Sequence, residues 1–387
     1  MPPALLALFA AAFSIGTSEF VIAGILPAVS GDLHIDIPTA GMLVSIYALG
    51  VAIGGPLLAS VTGRFSRRRL LLTYVAIFTI GYVACALAPT FETLLAARAA
   101  ISLIHGAYFG TAIVVASEIV EEKRRGFAIS LVLSGLTVAN VIGVPLGSAI
   151  GGHFGWRMTF WTVAGFGAIS FILVWLLVRI GSAAAQQASR FEDQLRALRR
   201  EPVISSFGII LTQTVGQFAL FTYIAPLLTG VSGVPTDTVP WLLLAFGVGS
   251  TIGMLLGGRL ADWKLMASQT FWLASQIVLY LLMLLFASNA WIMGGLLLLW
   301  GATVFAFAAP AQARIISSTR DAPALASSLI PSTFNVAIAA GAWLGGVQIA
   351  SGLGYQSLFW PGLAGAIIAT AISIYSWRLE PRRAPAA

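Results

Sequence analysis

The most constraining feature of this sequence is the length of its uncharged, apolar stretches. Residues 322–377 form a stretch of 56 residues without Asp, Glu, Lys or Arg, and residues 265–313 form another of 49. A helix of about 20 apolar residues crosses the roughly 30 Å hydrocarbon core of a bilayer. Each stretch therefore predicts two membrane-spanning helices, with breaks at 288–290 and 351–354.

The composition agrees with a membrane protein that crosses the bilayer many times. Hydrophobic residues make up 58% of the 387 residues and charged residues only 9%, whereas soluble domains carry about 25% charged residues. The net charge is +7, but the basic residues are scattered between apolar segments, so we expect no nucleic-acid partner. The single cysteine, Cys85, lies inside an apolar run and excludes a disulfide framework.

Further charge-free stretches, and two segments with one charge each, bring the number of predicted spans to twelve. The spans are 4–29, 39–61, 70–90, 93–117, 127–150, 157–179, 203–228, 239–261, 268–287, 291–312, 324–348 and 357–378. Strands of a membrane β-barrel would be about ten residues long with strict alternation, unlike these continuous runs. The predicted fold class is therefore all-α and integral to the membrane.

The distribution of basic residues predicts the topology. Of the 21 Lys and Arg residues, Arg98 lies within a span and Arg157 lies where the sixth span begins. The others fall in alternate loops, at the span ends that border those loops, or in the C-terminal tail. Because loops rich in Lys and Arg stay in the cytoplasm, we expect both termini to be cytoplasmic. Four tryptophans near span ends are interpreted as interface anchors, namely Trp156, Trp241, Trp291 and Trp377.

A polar segment, residues 181–202, separates the first six predicted spans from the last six. We interpret it as a cytoplasmic linker between an N-terminal bundle, 1–180, and a C-terminal bundle, 203–387. The two halves resemble each other, because Gly258–Asp262 lies at the end of span 8 and the basic cluster Arg64–Arg69 follows span 2. Two six-helix pseudo-repeats around a midplane cavity are a recurring transporter architecture.

Six short segments carry a family resemblance when they are taken together and in order. They are Gly16–Phe20, Arg98–Gly110, Gly143–Gly147, Gly155–Trp161, Gly258–Asp262 and Phe334–Gly346. With the twelve-span layout they resemble the major facilitator superfamily, specifically its drug:proton antiporter branch of bacterial sugar, purine and drug efflux transporters.

The resemblance implies a secondary active transporter of the bacterial inner membrane. It would export a small organic solute, such as a sugar, nucleoside or drug, by alternating access in exchange for protons. A symporter or a uniporter on the same fold is the alternative. The partners implied are the solute, protons and the lipid bilayer, and a monomer suffices for this architecture.

Other classes of protein are disfavoured by what the spans contain. A membrane enzyme would need a cluster of carboxylates, histidines or a Ser–His pair, so we expect no enzyme. We expect no cofactor and no metal, because His34, His105 and His153 lack ligand neighbours. A channel would usually show rings of repeated filter residues, and a receptor would show a substantial domain outside the membrane.

The candidates for proton coupling are Glu19, Arg98 and His105. Glu19 is the only acidic residue at mid-span depth, where an ionised carboxylate is costly. Arg98, Ser102, His105 and Phe109 share one face of span 4, which should point into the bundle. In the family, the matching Arg is linked to proton coupling. The alternatives are a structural ion pair for Glu19 and a merely hydrogen-bonded role for His105.

The candidates for solute binding are polar or aromatic residues at mid-span depth, which should point inward because polar groups facing lipid are costly. They are Tyr47, Asn140, Gln213, Gln217, Tyr223 and Asn335. Ordinary hydrogen bonding between helices is the alternative for each of them.

The candidates for conformational gating lie in the two loop motifs and in span 5. They are Arg64, Arg67, Arg68, Gly143, Pro145, Gly147, Gly258 and Asp262. The glycines predict close helix contact and Pro145 a kink. In the family, the loop motif braces the outward-facing state. Because Gly63 stands where that motif has Asp, Asp262 is the better candidate for the brace.

Overall fold

The computed structural model describes residues 2–62, 65–179, 199–319 and 323–380, without the side chains of 59, 60 and 323–328. Within these ranges every regular element is a helix. Arg64 and nearly all of the predicted linker, up to residue 198, lie outside the described residues.

The α-helices of the described residues follow one another in chain order. They are α1 Pro3–Asp32, α2 Ile37–Thr62, α3 Arg67–Ala86, α4 Phe91–Glu118, α5 Arg125–Val138, α6 Val144–Phe154, α7 Trp156–Leu177, α8 Glu201–Phe221, α9 Ile224–Gly230, α10 Val239–Leu285, α11 Ala290–Ala306, α12 Ala308–Ser318, α13 Pro323–Ala350 and α14 Phe359–Leu379. Short 3₁₀ helices, Glu122–Arg124 and Tyr355–Leu358, precede α5 and α14.

Membrane-crossing segments account for most of this list. In the part of the chain that the structure describes, 11 helical segments are long and apolar enough to span a bilayer. One of them, α10, has 47 residues, which at 1.5 Å per residue is about 70 Å and enough for two crossings. Its backbone leaves helical geometry at Lys264 (φ −146°, ψ 86°), where the two crossings meet. The protein is therefore an all-helical membrane protein, as predicted.

Several helices begin at residues that cap their free N–H groups. Asp36 accepts a hydrogen bond from Thr39 N at 2.8 Å before α2, and hydrogen bonds from the Thr39 side chain and backbone hold the pKa of this carboxyl below its ordinary value. Thr90 and Thr93 form a capping box at α4, and Asn289 accepts from two N–H groups of α11. Such caps determine where these helices start.

Span 5 is interrupted at mid-depth. Residues Ala139–Gly143 form a π turn between α5 and α6, with Val144 N donating to Ala139 O. Pro145 follows immediately, and a proline has no N–H to continue the α-helical pattern. The irregularity expected from Pro145 therefore takes the form of a wide turn just before it.

The chain divides into two compact units. Unit 1 comprises Met1–Gln186, Ile224–Pro226 and Pro235–Leu244, and unit 2 comprises Gln187–Tyr223, Leu227–Val234 and Ala245–Ala387. The first boundary falls in the polar segment 181–202. Two short segments of the second half of the sequence thus belong to unit 1.

In unit 1, glycines spaced four residues apart bring the π turn and α6 against α1. A methyl group on Gly143 would lie 2.1 Å from Thr17 Oγ1, and one on Gly147 would lie 2.2 Å from Val21 Cγ2. Gly151 continues the row one turn further on. A larger side chain at these positions would have to displace Thr17 or Val21, so the glycines let the two segments pack closely along three turns.

A second kind of glycine contact occurs in both units. In unit 2, a methyl group on Gly253 of α10 would lie 1.9 Å from the carbonyl oxygen of Ala302 in α11, and Gly257 repeats the contact one turn later. In unit 1, Gly54 of α2 approaches the Leu103 carbonyl of α4 in the same way, at 2.2 Å. The second and fourth spans of each half therefore pack backbone to backbone.

One predicted interface anchor is wrong. Trp156 is buried with its ring packed on Phe160, and its Nε1 donates a 3.0 Å hydrogen bond to Asp32 Oδ2. Arg157 also pairs with Asp32 and donates to Ala88 O at 3.1 Å. These contacts join the end of α1, the α3–α4 loop and the start of α7. The other three predicted anchors, Trp241, Trp291 and Trp377, are exposed.

Candidate functional site

A buried acid–base pair lies inside unit 1. Glu19 of α1 and His105 of α4 are 9% and 5% exposed, and Glu19 Oε2 lies 3.7 Å from His105 Nε2. This separation exceeds hydrogen-bond length, so the contact is electrostatic. The two residues are adjacent because α1 and α4 present their polar positions to each other.

A chain of hydrogen bonds extends from His105 to the α1 backbone. Tyr47 Oη of α2 lies 3.0 Å from His105 Nδ1 and 3.1 Å from Ser18 Oγ. Ser18 Oγ in turn donates to Ile15 O at 2.6 Å. Three helices thus meet at one continuous polar path that ends at the Glu19–His105 pair.

Arg98 of α4 is completely buried beside this path. Its Nε donates to Leu43 O at 3.2 Å, its Nη1 donates to Tyr82 Oη at 3.3 Å and to Ser18 O at 3.4 Å, and its guanidinium carbon lies 4.4 Å from the Tyr47 ring centroid. Among the described residues Nη2 has no hydrogen-bond partner. The guanidinium is therefore held by carbonyls and aromatic rings, which neutralise its charge only in part.

The predicted face of span 4 is the one that the structure turns inward. Arg98, Ser102 and His105 are buried, and the Phe109 ring lies 5.2 Å from the His105 ring. Leu103, on the opposite face, is exposed. Helical periodicity alone was sufficient to predict that these four side chains lie on the same side of the helix.

The predicted solute-binding residues fall into both units and are all buried. In unit 1, Tyr47 belongs to the hydrogen-bond chain, and Asn140 lies in the π turn with Nδ2 donating to Leu136 O at 3.3 Å. Tyr47 is therefore engaged with His105, whereas sequence analysis assigned it to the solute.

In unit 2, buried amides form a small network. Gln213 Nε2 of α8 donates to Gln276 Oε1 of α10 at 2.9 Å, and Gln276 Nε2 donates to Thr303 O at 3.1 Å. Gln217 Oε1 lies 3.4 Å from Gln213 Nε2. Gln213 and Gln217 thus share a face, as expected, and the contact with Gln276 joins α8, α10 and α11.

The remaining two candidates of unit 2 are held by helix backbone. Tyr223 Oη donates to Ala342 O of α13 at 2.9 Å. Asn335 Nδ2 donates to Pro331 O at 3.0 Å, and its Oδ1 is buried without a partner among the described residues. Asn335 therefore keeps one free acceptor.

Several buried polar residues of the structure were not among the predicted site residues. Gln276 and Gln269 are completely buried in α10, and both amide atoms of Gln269 lack a partner within the described ranges. Ser18 and Tyr82 complete the surroundings of Arg98. An amide inside an apolar span was a usable signal, because buried polar groups are costly unless paired.

Arg67 and Arg68, which were predicted to take part in gating, lie at the start of α3 and contact two other helices. Arg67 forms an ion pair with Glu118 at the end of α4. Arg68 donates to Val178 O at 2.7 Å and to Trp175 O at 2.9 Å, at the C-terminal end of α7. A cation suits the free carbonyls and negative dipole there, so this pair fastens α3 to α4 and α7.

The loop motif of the second half, Gly258–Asp262, makes fewer contacts. Asp262 is exposed and has no ion-pair partner within the described residues, and a methyl group on Gly258 would meet nothing within 4 Å. Arg314, which was not predicted, is buried and donates to Ser205 Oγ at 3.1 Å and Ser376 Oγ at 2.7 Å, beside Glu380. Arg314 thus holds α12 to α8 and α14.

No group of three or more His, Cys, Asp or Glu among the described residues is arranged to hold a metal ion. The polar groups described are a carboxylate, an imidazole, a phenol and a guanidinium in unit 1, and a separate set of amides in unit 2. Such groups can bind and release protons and form hydrogen bonds to a solute.

Comparison with known proteins defines the class first and then the family. The chain is 37% identical over 377 residues to the inner membrane transport protein YdhP of Escherichia coli K12, covering 97% of this chain and 96% of the relative. It is 30% identical over 382 residues to a chloramphenicol resistance protein of Streptomyces lividans, covering 97% and 95%. The likeness to YdhP places the chain among membrane transporters.

The same fold occurs in a solved transporter structure. A bacterial homologue of the human lysosomal transporter Spinster, in an inward-facing and unoccupied conformation, superposes with a TM-score of 0.78 at 19% identity, covering 99% of this chain and 98% of that one. The family model described as Major Facilitator Superfamily matches residues 8–323. The chain belongs to the major facilitator superfamily and resides in the bacterial inner membrane.

Proposed function

We propose that this protein exports a small organic solute in exchange for protons, by alternating access. The observation that carries the proposal is the buried Glu19–His105 pair, with Arg98 held on the same helix as His105. A carboxylate and an imidazole shielded from water can take up one proton and release it when the cavity changes sides. Such a proton-binding group is the minimum that a proton-coupled carrier requires.

The solute we propose is neutral or weakly charged, such as a sugar, a nucleoside or a drug. Supporting this class, unit 2 buries amides that are uncharged donors and acceptors, among them Gln213, Gln276 and Asn335. Small-molecule sites usually combine an apolar lining with a few such groups. We propose that Asn140, Gln217 and Tyr223 also contribute to solute binding.

We further propose that both termini are cytoplasmic and that the two halves, 1–180 and 203–387, form pseudo-repeat bundles joined by the segment 181–202. The basic loops support this orientation. The matching glycine contacts of α2 with α4 and of α10 with α11 support the repeat.

The proposal is tested with purified protein in liposomes that enclose a pH-sensitive dye. Sugars, nucleosides and antimicrobial compounds are added outside one at a time, without a pH gradient. In antiport, an entering solute drives protons out, so the internal pH rises. A fall in internal pH would show symport, and solute uptake without any pH change would show a uniporter; either result would overturn the proposal.

A further inference from the structure

The proton positions in the hydrogen-bond chain follow from its donors and acceptors. Ser18 has one hydroxyl proton, and the Ile15 carbonyl at 2.6 Å can only accept, so that proton lies between these two oxygens. The contact of 3.1 Å between Ser18 Oγ and Tyr47 Oη then requires Tyr47 to donate. Having donated its only proton, Tyr47 must accept from His105 Nδ1 at 3.0 Å.

This polarity determines what the other face of His105 does. With the proton on Nδ1, a neutral imidazole presents the bare lone pair of Nε2 to Glu19 Oε2, 3.7 Å away. Two electron-rich atoms repel, which favours a proton on the Glu19 carboxyl or on Nε2. In both cases the Glu19–His105 pair holds one proton more than an ionised Glu19 beside a neutral His105.

We propose that Ser18 and Tyr47 are positioning residues that respond to this proton. The partner to which the Tyr47 hydroxyl donates then depends on whether the Glu19–His105 pair is loaded with the proton. The inference deepens the proposed function and depends on it for its role in transport. When the proton leaves, the remaining imidazole proton moves to Nε2 to face the carboxylate. Nδ1 then accepts from Tyr47, and Tyr47 can no longer donate to Ser18.

The unloaded state therefore loses the hydrogen bond between α1 and α2. Ser18 Oγ and Tyr47 Oη would then face each other without a shared proton, which favours their separation. Tyr82 takes no part in this reversal, because it accepts from Arg98 and donates to Ser18 O. Proton release is thereby linked to a contact between helices.

The other charged and titratable groups near the pair and near Arg98 come from three helices. They are Tyr47 from α2, Tyr82 and Cys85 from α3, and Arg98 from α4. Residues 126–152 and 158–177, which form most of α5, α6 and α7, contain no Asp, Glu, Lys, Arg, His, Cys or Tyr. The proposal therefore assigns the change in protonation to Glu19 and His105, the acid–base pair in contact.

The test is a nitrogen-15 NMR titration of His105 in lipid nanodiscs, which needs no solute. His34 and His153 are exposed and are replaced by Asn and Gln, so that His105 gives the only imidazole signal; Asn tolerates the positive φ of 53° at His34. We expect Nδ1 to be protonated at low pH and the proton to move to Nε2 as the pH rises. In Glu19→Gln this tautomer change should disappear.

The variants Ser18→Ala and Tyr47→Phe each remove a hydrogen bond that only the loaded state makes. We expect the pH midpoint of the tautomer change to fall by about 0.5–1 unit in each, the equivalent of one neutral hydrogen bond. The double variant should show no additional fall in the pH midpoint, because without the Tyr47 hydroxyl Ser18 no longer accepts the hydrogen bond that depends on the proton. Ser14→Ala is the matched control, since Ser14 lies one turn away and bonds Ala10 O and Ser170.

Two results would overturn the inference: an Nδ1 that stays unprotonated throughout, or midpoints in both variants equal to that of Ser14→Ala. Either can occur while solute still drives proton movement in liposomes, in which case the proposed function stands. Conversely, the titration can follow the expected course in a protein that moves no protons with solute, in which case the proposed function fails.

Discussion

Arg98 is the residue whose surroundings leave the least freedom. Its guanidinium donates in two directions, to Leu43 O and to Tyr82 Oη, while it lies over the Tyr47 ring. A lysine presents one compact ammonium on a flexible stem and cannot reproduce this planar arrangement. Replacing Arg98 by lysine therefore keeps the charge and removes the planar shape.

We expect Arg98→Lys to lower stability by about 1–3 kcal/mol, because buried partners of a charged donor are left unsatisfied. Thermal unfolding of the purified protein in detergent measures this. Arg125→Lys is the control, since Arg125 is largely exposed and pairs only loosely with Glu122. Equal stability of the two variants would contradict the importance of the guanidinium shape.

For single residues, the sequence indicated which side chains are buried and polar, but it did not indicate which side chains they contact. Glu19 and Arg98 were found because charges within apolar spans are costly, and His105 was found from helical periodicity. The link from Tyr47 to His105 was not predictable, because it depends on the relative rotation of α2 and α4. Gln276 was overlooked although it obeys the same rule as Glu19, since an uncharged amide gives a weaker signal.

Glycine rows determine how closely the helices approach. Gly253 faces a backbone carbonyl, which cannot move aside as a side chain can. Adding a methyl group there forces α10 and α11 apart. Gly143 and Gly147 face side chains of α1 instead, so their neighbours have more freedom to adjust.

We expect Gly253→Ala to destabilise unit 2 by about 1–3 kcal/mol, as overpacking does in well-packed cores. The measurement is the unfolding midpoint by fluorescence-detected size exclusion after heating. Gly295→Ala on the facing helix is the control, because a methyl group there meets nothing within 4 Å. A control that unfolds as early as Gly253→Ala would contradict the packing explanation.

The sequence predicted the helices well and their irregularities only in part. The apolar stretches located the spans, and Pro145 signalled a break in span 5. The exact form of that break, a π turn at Ala139–Gly143, depends on how α1 packs against it. The gating role expected for Asp262 stays a prediction. Arg314 was not predicted, because its burial depends on tertiary contacts with Ser205 of α8 and Ser376 of α14.

For the molecule as a whole, the prediction to test is its orientation in the membrane. The single native cysteine, Cys85, is buried, so a Cys85→Ser background accepts single cysteines at exposed loop positions. With cytoplasmic termini, Ser288→Cys and Ser351→Cys should react in intact cells with a thiol reagent that cannot cross the membrane. Lys123→Cys should react only after permeabilisation. The reverse pattern would show that both termini lie outside.

The proposed proton exchange requires that the Glu19 carboxyl of α1 carries the proton. Glu19→Gln keeps the shape of the side chain but cannot ionise, and Glu92→Gln, at the exposed start of α4, is the matched control. The measurement is solute-driven pH change inside liposomes for wild type and both variants. We expect wild type and Glu92→Gln to raise the internal pH and Glu19→Gln to leave it unchanged. A rise of equal size in Glu19→Gln would contradict proton coupling through Glu19.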